Sequence, residues 1–389
     1  MILRVRDTIA PMLSMQMSYG SRLAEVLPIC LSSLGVEERS SAWGRATTAV
    51  VIVIDGLGYE NLFERKGYAR FLWAQWRERI NTVFPSTTGA ALTTITTGTL
   101  PGEHGLVGYR IRNPQSGDLV TTLSEWGHTT RVREWQRSHT VFERAADYGV
   151  RSAVIGRTAH QQSGLTSAIL TGADYLAANS IEERFQQAYG AVKSDNYGIV
   201  YLYVDELDRI AHARGWQSSE WSESLESLDS EIRKLANRVD PGVGIALTAD
   251  HGIIDVPASK HIFYDEDEKM MGGIVRVGGE PRMRYLYLDP TDAIARVERT
   301  RELATRWGRT LGDSALILTR TEAVASGMFG EVAPEVLERI GDVLVIAQGD
   351  HALYSVGPED AGSRGMIGQH GGISSEEVGV PLIRIGAFA

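Results

Sequence analysis

The sequence predicts a three-layer α/β/α fold, a sheet covered by helices on both faces, with an inserted α+β cap. Three observations carry this expectation. Near-continuous apolar runs such as AVVIVI recur between segments of mixed polarity, the pattern of strands buried on both faces rather than of a half-exposed antiparallel sheet. Several of the runs end in aspartate, and between about residues 256 and 340 the pattern changes to glycine turns and alternating strands.

Taken in chain order, AVVIVI is a strand that stops on Asp55. ENLFERKGYARFLWAQWRERI then has the mixed polarity of a surface helix. AALTTITTG, after Pro85, reads as the start of a helix; its threonines are poor helix formers, so packing or backbone contacts to a ligand must compensate. TVFERAADYG closes a helix before the strand RSAVIG, YGIVYLYV is a strand leading into Asp205, and VGIALTAD is a strand ending on Asp250. Between the last two, SESLESLDSEIRKLANRVD is a second surface helix. In DEDEKMMGGIVRVGGEPRMRYLYLD glycine turns separate strands, and DAIARVERTRELATRWG is helical. GDVLVIA and VPLIRIG follow as later strands. This divides the chain into a first core part (1–255), the cap (256–340) and a second core part (341–389) that carries His370.

The 389 residues suffice for a substantial core, so folding requires neither disulfides nor metal. Net charge is -10, from 39 basic against 49 acidic residues, which argues against a nonspecific nucleic-acid surface; the chain also has no recognisable nucleic-acid-binding module. Cys30 is the one cysteine, in the apolar setting VLPICLSSLGV, and is expected to be an ordinary buried side chain. No stretch reaches the length of a membrane span, and MILRVRDTIAPML does not read as a signal peptide. A cytoplasmic protein is the expectation.

Functional sites in open α/β sheets gather at the carboxyl ends of strands. Asp55, Asp205, Asp208 and Asp250 each lie at or just after such an end. A lone aspartate there is more often a cap, which is the plain reading of Asp205. In DELDRIAH, however, Asp208 and His212 are four residues apart and share a helix face. Asp250 precedes His251, and His370 sits in GQHGG, where glycines permit close backbone approach. Oxygen and imidazole ligands together suit zinc or manganese. A further oxygen is sought in NTVFPSTTGAALTTITTG, where Ser86, Thr87 and Thr88 are candidate nucleophiles; the plain alternative is a helix cap without chemistry.

The ordered set VIVIDGLG, FPSTTGAALTTITTG, DELDRIAH, ADHG and GQHGG resembles the type I phosphodiesterase and nucleotide pyrophosphatase family of the alkaline phosphatase superfamily. The resemblance implies an alkaline-phosphatase-like fold and two divalent ions, zinc first and manganese as the alternative. It implies that Asp208, His212 and His370 hold one ion, and that Asp55, Asp250 and His251 hold the other with the Thr88 oxygen. Thr88 is then the nucleophile of a two-step hydrolysis of a small phosphate ester or nucleotide, through a phosphothreonine. Where many family members carry FPTKTFPN this chain has FPSTTGAA, so Ala91 stands where an oxyanion-binding asparagine is expected. Thr87, Arg110, Lys260, Arg282 and Arg284 are the candidate replacements. Ala211 replaces a commoner glycine without changing the ligand spacing. The alternatives are a phosphomonoesterase of the same superfamily and a non-enzymatic, metal-dependent binder of a phosphorylated partner.

Overall fold

The run TAVVIVI forms the strand Thr48–Ile54, with every residue buried, because β-branched side chains on both faces need cover on both faces. It pairs in parallel with Ile199–Val204 on one side and Val243–Thr248 on the other. The computed structural model describes residues 21–37, 41–124, 126, 132–289 and 293–389; the segment MILRVRDTIAPML and the first residue of DAIARVERTRELATRWG lie outside them. Among the described residues the main sheet has seven strands, in the order Trp76–Asn81, Gly379–Gly386, Val243–Thr248, Thr48–Ile54, Ile199–Val204, Ser152–Gly156 and Ala173–Ala177. All neighbours are parallel except Gly379–Gly386, which runs antiparallel to both of its partners.

Two helix groups pack against this sheet. Ser21–Ser33, Thr88–Thr97 and Val141–Asp147 contact one another, while Ile181–Lys193 packs with Ser219–Arg238, which also contacts Glu206–Arg214. The three-layer α/β/α architecture is therefore as expected. Cys30 lies in the first of these helices, fully buried, and burial pushes its thiol well up. The Thr88–Thr97 helix resolves the propensity conflict. Thr93, Thr96 and Thr97 are buried and return their hydroxyls to the carbonyls of Gly89 at 2.6 Å, Leu92 at 2.9 Å and Thr93 at 2.7 Å, so none of these hydroxyls is stranded.

A smaller antiparallel sheet runs in the order Ile274–Glu280, Met283–Leu288, Val343–Ala347, Ala315–Thr319, and the helix Ala293–Leu311 packs on it. Two expectations are corrected here. GDVLVIA does not return to the main sheet; Val343–Ala347 is an inner strand of the small one, so that sheet extends past residue 340. Nor is ENLFERKGYARFLWAQWRERI one helix. It breaks into Tyr59–Glu64, Arg70–Ala74 and the strand Trp76–Asn81, because VPLIRIG offers WRERIN an antiparallel partner at the sheet edge. Truncating the central strand is expected to be costly: Ile52→Ala should lower unfolding stability by about 2–5 kcal/mol, read by chemical denaturation.

Candidate active site

Three of the parallel strands, Thr48–Ile54, Ile199–Val204 and Val243–Thr248, deliver site residues at their carboxyl ends. Asp55 follows Ile54 directly, with its backbone N–H bonded to Val204 O at 2.8 Å. The next residue, Gly56, has φ of 71°, and a Cβ there would meet Asp208 Cβ at 3.0 Å. Only glycine lets the two acids approach this closely. Asp208 and His212 lie one turn apart on the helix Glu206–Arg214, with His212 Nε2 3.2 Å from Asp208 Oδ2. Asp250 and His251 follow the Val243–Thr248 strand after Ala249, and His370 enters from the loop after Gly368–Gln369.

The three imidazoles are oriented in the same way. His212 Nδ1 meets Gly368 O at 2.7 Å, His251 Nδ1 meets Gly252 O at 3.1 Å, and His370 Nδ1 meets Ser86 O at 2.9 Å. A carbonyl accepts only, so each Nδ1 is assigned the proton, and in the neutral ring each Nε2 then presents a lone pair. Those Nε2 atoms converge on the carboxylates: His251 Nε2 lies 3.3 Å from Asp55 Oδ1 and 3.5 Å from Asp250 Oδ2, and His370 Nε2 lies 4.0 Å from Asp208 Oδ1. The rings of His251 and His370 stack at 3.6 Å. Ligand atoms of Asp208, His212 and His370 fall within 4.8 Å of one another, as do those of Asp55, Asp208 and His251. Asp208 thus faces both groups. Asp250 Oδ1 is taken by the backbone N–H groups of Gly56 at 3.2 Å and His251 at 3.0 Å.

Among the described residues the buried carboxylate oxygens Asp55 Oδ1, Asp208 Oδ1 and Asp250 Oδ2 have no hydrogen-bond partner. Buried oxygens in that state are costly unless a positive charge faces them. Burial, then Asp250 and Asp208, push the Asp55 carboxyl well up, and burial and Asp208 push Asp250 up to about 7. Burial also raises Asp208, but His212, His370 and His251 outweigh it and hold it below the usual carboxylate range. Burial brings His251 down to about 4 and, with His251 beside it, His370 down to about 3. Burial lowers His212 as well, yet Asp208 raises it further. Oxygen and neutral imidazole donors converging around unsatisfied carboxylates fit a divalent cation.

Thr88 opens the buried helix Thr88–Thr97, whose cap is Thr87 through a hydrogen bond from Ala90 N. Its Oγ1 lies 3.1 Å from His251 Nε2. Ser86 stays fully buried, bonded to Gly371 N and Gly372 O, so of the three candidate nucleophiles it is the one closed off. Thr87 and Thr88 line a cavity of about 390 Å³ together with Asp55, Asp208, His212 and His370.

The expected oxyanion donors fare differently. Thr87 reaches the cavity, but Arg110 and Lys260 do not line it, and Lys260 pairs with Asp350 at 3.5 Å. Arg282 and Arg284 are buried in ion pairs with Glu377 at 2.8 Å and Asp360 at 2.6 Å, away from any substrate. Ala91 is fully buried in the core, while its neighbours Gly89 and Leu92 line the cavity; an asparagine at position 91 would face packed side chains. Asp205 makes no cap bond and instead meets Arg157 at 3.2 Å and His160 at 3.3 Å. Burial opposes its ionisation, but His160 and Arg157 bring it down to about 2. Sequence reasoning missed Tyr203, whose hydroxyl donates to Asp55 Oδ2, and Glu280, whose Oε2 lies 3.9 Å from His370 Nδ1. The alternation in YLYV signalled that Tyr201 and Tyr203 share a face; nothing local marked Glu280.

A profile of the type I phosphodiesterase / nucleotide pyrophosphatase family matches residues 49–373. The chain belongs to that family. It is thus a phosphoester hydrolase of the alkaline phosphatase superfamily. Comparison with curated proteins finds no match. Among solved structures, murine ectonucleotide pyrophosphatase / phosphodiesterase 5 is 15% identical, with TM-score 0.67 over 86% of this chain and 87% of its own. The human form is 13% identical, with TM-score 0.69 over 87% and 88%. Phosphonoacetate hydrolase from Sinorhizobium meliloti 1021 is 20% identical, with TM-score 0.64 over 87% and 89%. At these identities the structures establish a shared fold.

The raised carboxyls set a pH dependence for cation uptake. Asp250 is pushed up to about 7 and Asp55 is pushed in the same direction, so a cation that binds there displaces protons as pH falls through that range. The apparent zinc affinity of chelator-treated protein should rise by about tenfold or more from pH 6 to pH 8, with proton release visible by calorimetry in buffers of different ionisation enthalpy. A flat affinity would contradict the assignment.

Proposed function

We propose that the protein hydrolyses phosphate diesters, nucleotide-type esters included, through a phosphothreonine on Thr88. The site would be a two-cation centre held by Asp208, His212 and His370 on one side and by Asp55, Asp250 and His251 with Thr88 on the other. The observation that carries this reading is the 3.1 Å contact between Thr88 Oγ1 and His251 Nε2 beside the three buried carboxylate oxygens that lack a partner among the described residues. Zinc, with manganese as the alternative, would when bound neutralise charge on the phosphate oxygens and favour the ionised hydroxyl.

This chain's own residues supply the geometry. Gly252 O holds His251 Nδ1–H, so Nε2 turns its lone pair toward the same point that the Thr88 oxygen faces, 3.1 Å away. The Thr88 oxygen bonds to phosphorus as the bond to the departing ester oxygen breaks; water then attacks phosphorus, releasing Thr88 and the phosphate product. Both steps gain from rigid placement, because Thr88 begins a helix buried on all sides and Asp55 ends a buried strand. The cavity beside Thr88 has room for an organic group beyond the phosphate, and the family match supports a diester over a monoester. An inactive threonine-to-alanine variant of murine ectonucleotide pyrophosphatase / phosphodiesterase 5 in complex with AMP supports both the threonine and the nucleotide type of substrate. A cytoplasmic location belongs to the same reading; among the described residues no helix is long and apolar enough to cross a membrane.

Metal-reconstituted protein should release p-nitrophenol from bis-p-nitrophenyl phosphate faster than from p-nitrophenyl phosphate, and Thr88→Ala should lower that turnover by at least about a thousandfold. Equal turnover by the variant refutes Thr88 as nucleophile, and preference for the monoester reverses the substrate ranking. By elemental analysis, Asp55→Asn and Asp208→Asn should each lower bound metal per chain while leaving the thermal transition cooperative. Full occupancy in both variants would refute the two-cation assignment.

A further inference from the structure

His160 lies outside the groups used so far. It closes the short turn Thr158–His160 directly after the parallel strand Ser152–Gly156, at the same sheet edge as Asp55 and Asp250. Its side chain lines the cavity, with its ring edge-on to Tyr203 at 6.2 Å between centroids, and the Tyr203 hydroxyl donates to Asp55. One tyrosine therefore separates His160 from the cation-facing carboxylates. That is too far for contact with the reacting phosphorus and within reach of an organic group attached to it.

The ring is held in a defined state. Nε2 lies 3.3 Å from Oδ2 of Asp205, a carboxylate 5% exposed. A carboxylate accepts, so Nε2 carries a proton, and in the neutral ring Nδ1 offers a lone pair. Among the described residues Nδ1 has no hydrogen-bond partner, and the side chain is 42% exposed. A purely structural pairing is a poor account, because Arg157 at 3.2 Å and Arg184 at 3.6 Å already neutralise Asp205. Leu92, Leu165 and Ile169 supply apolar wall nearby, suited to the hydrocarbon part of a ligand whose polar end meets the imidazole.

We propose that His160 is a specificity-determining residue: its Nδ1 accepts a hydrogen bond from a hydroxyl or N–H on the organic group of the phosphate ester. Asp205 is the positioning residue that fixes its tautomer. The inference rests on the hydrolase reading above and names the kind of ester that site prefers.

Zinc-loaded protein is assayed on matched pairs of p-nitrophenyl diesters, ω-hydroxyalkyl against plain alkyl, of increasing chain length. The wild type should favour the hydroxyalkyl member of at least one pair by about tenfold in kcat/KM, the discrimination one well-made hydrogen bond supplies. His160→Phe should bring that ratio to about one, with the larger loss in kcat/KM on the hydroxyalkyl member, and His160→Gln, which keeps an acceptor oxygen, should retain part of the preference. A wild-type ratio of one at every length, a preference that survives His160→Phe, or equal losses on both members of each pair overturns the proposal while the hydrolase reading stands. No p-nitrophenol from any member, alkyl esters included, overturns the hydrolase reading and this inference with it.

Discussion

Everything in the site depends on burying several carboxylates within contact distance of three imidazoles whose protons point elsewhere. Three backbone carbonyls, those of Gly252, Gly368 and Ser86, take the Nδ1 protons, so the lone pairs of His212, His251 and His370 have a single direction left. Imidazolium ions in these positions would have satisfied the acids directly. Instead burial holds His251 and His370 low while Asp55 and Asp250 are held high, a standoff that desolvation enforces and a cation relieves. The sheet makes this arrangement affordable, because its parallel strands bring unrelated stretches of chain to one edge with their backbone groups already paired.

The small sheet contributes to the same edge, with Glu280 at the end of one of its strands lining the cavity. Arg282, in the turn between two of its strands, grips Glu377 with Nε at 3.0 Å and Nη2 at 2.8 Å. Glu377 in turn accepts from Gly372 N at 2.8 Å through its side chain and from Gly252 N at 2.9 Å through its backbone carbonyl. One buried ion pair therefore ties together the loops that carry His370 and His251. Its charge-assisted, bidentate form suits a task in which geometry matters more than net stability. These arginines are anionic-substrate candidates when seen as sequence and ties between loops when seen in the fold; GGEPRMR contains no sign of the acids, nearly a hundred residues downstream for Arg282, that would claim them.

Legibility followed the range of the physics. Asp208 and His212 were readable because one helical turn brings them together, and Asp55 and Asp250 because each stops an apolar strand. The buried strands themselves were readable from unbroken β-branched runs. WRERIN was not, since its polar residues suit an exposed edge and only pairing with Gly379–Gly386 makes it a strand. GDVLVIA reads as a buried strand and is one, but its choice of sheet is decided by partners between residues 283 and 319 rather than by its own composition. The orientation of position 91 was equally hidden, because motif alignment supplies spacing and not the side of a helix that meets the cavity.

The opposed shifts within the site also explain how so many buried acids coexist with a stable core. Asp208 sits among imidazoles and stays ionised, whereas Asp55 and Asp250 sit among other carboxylates and are pushed toward the neutral form. A chain without cations can thus keep protons on part of the site and avoid the full repulsion of three adjacent charges. The hydrophobic core extends across the whole main sheet and its helices, so folding has a driving force independent of the metal-facing groups.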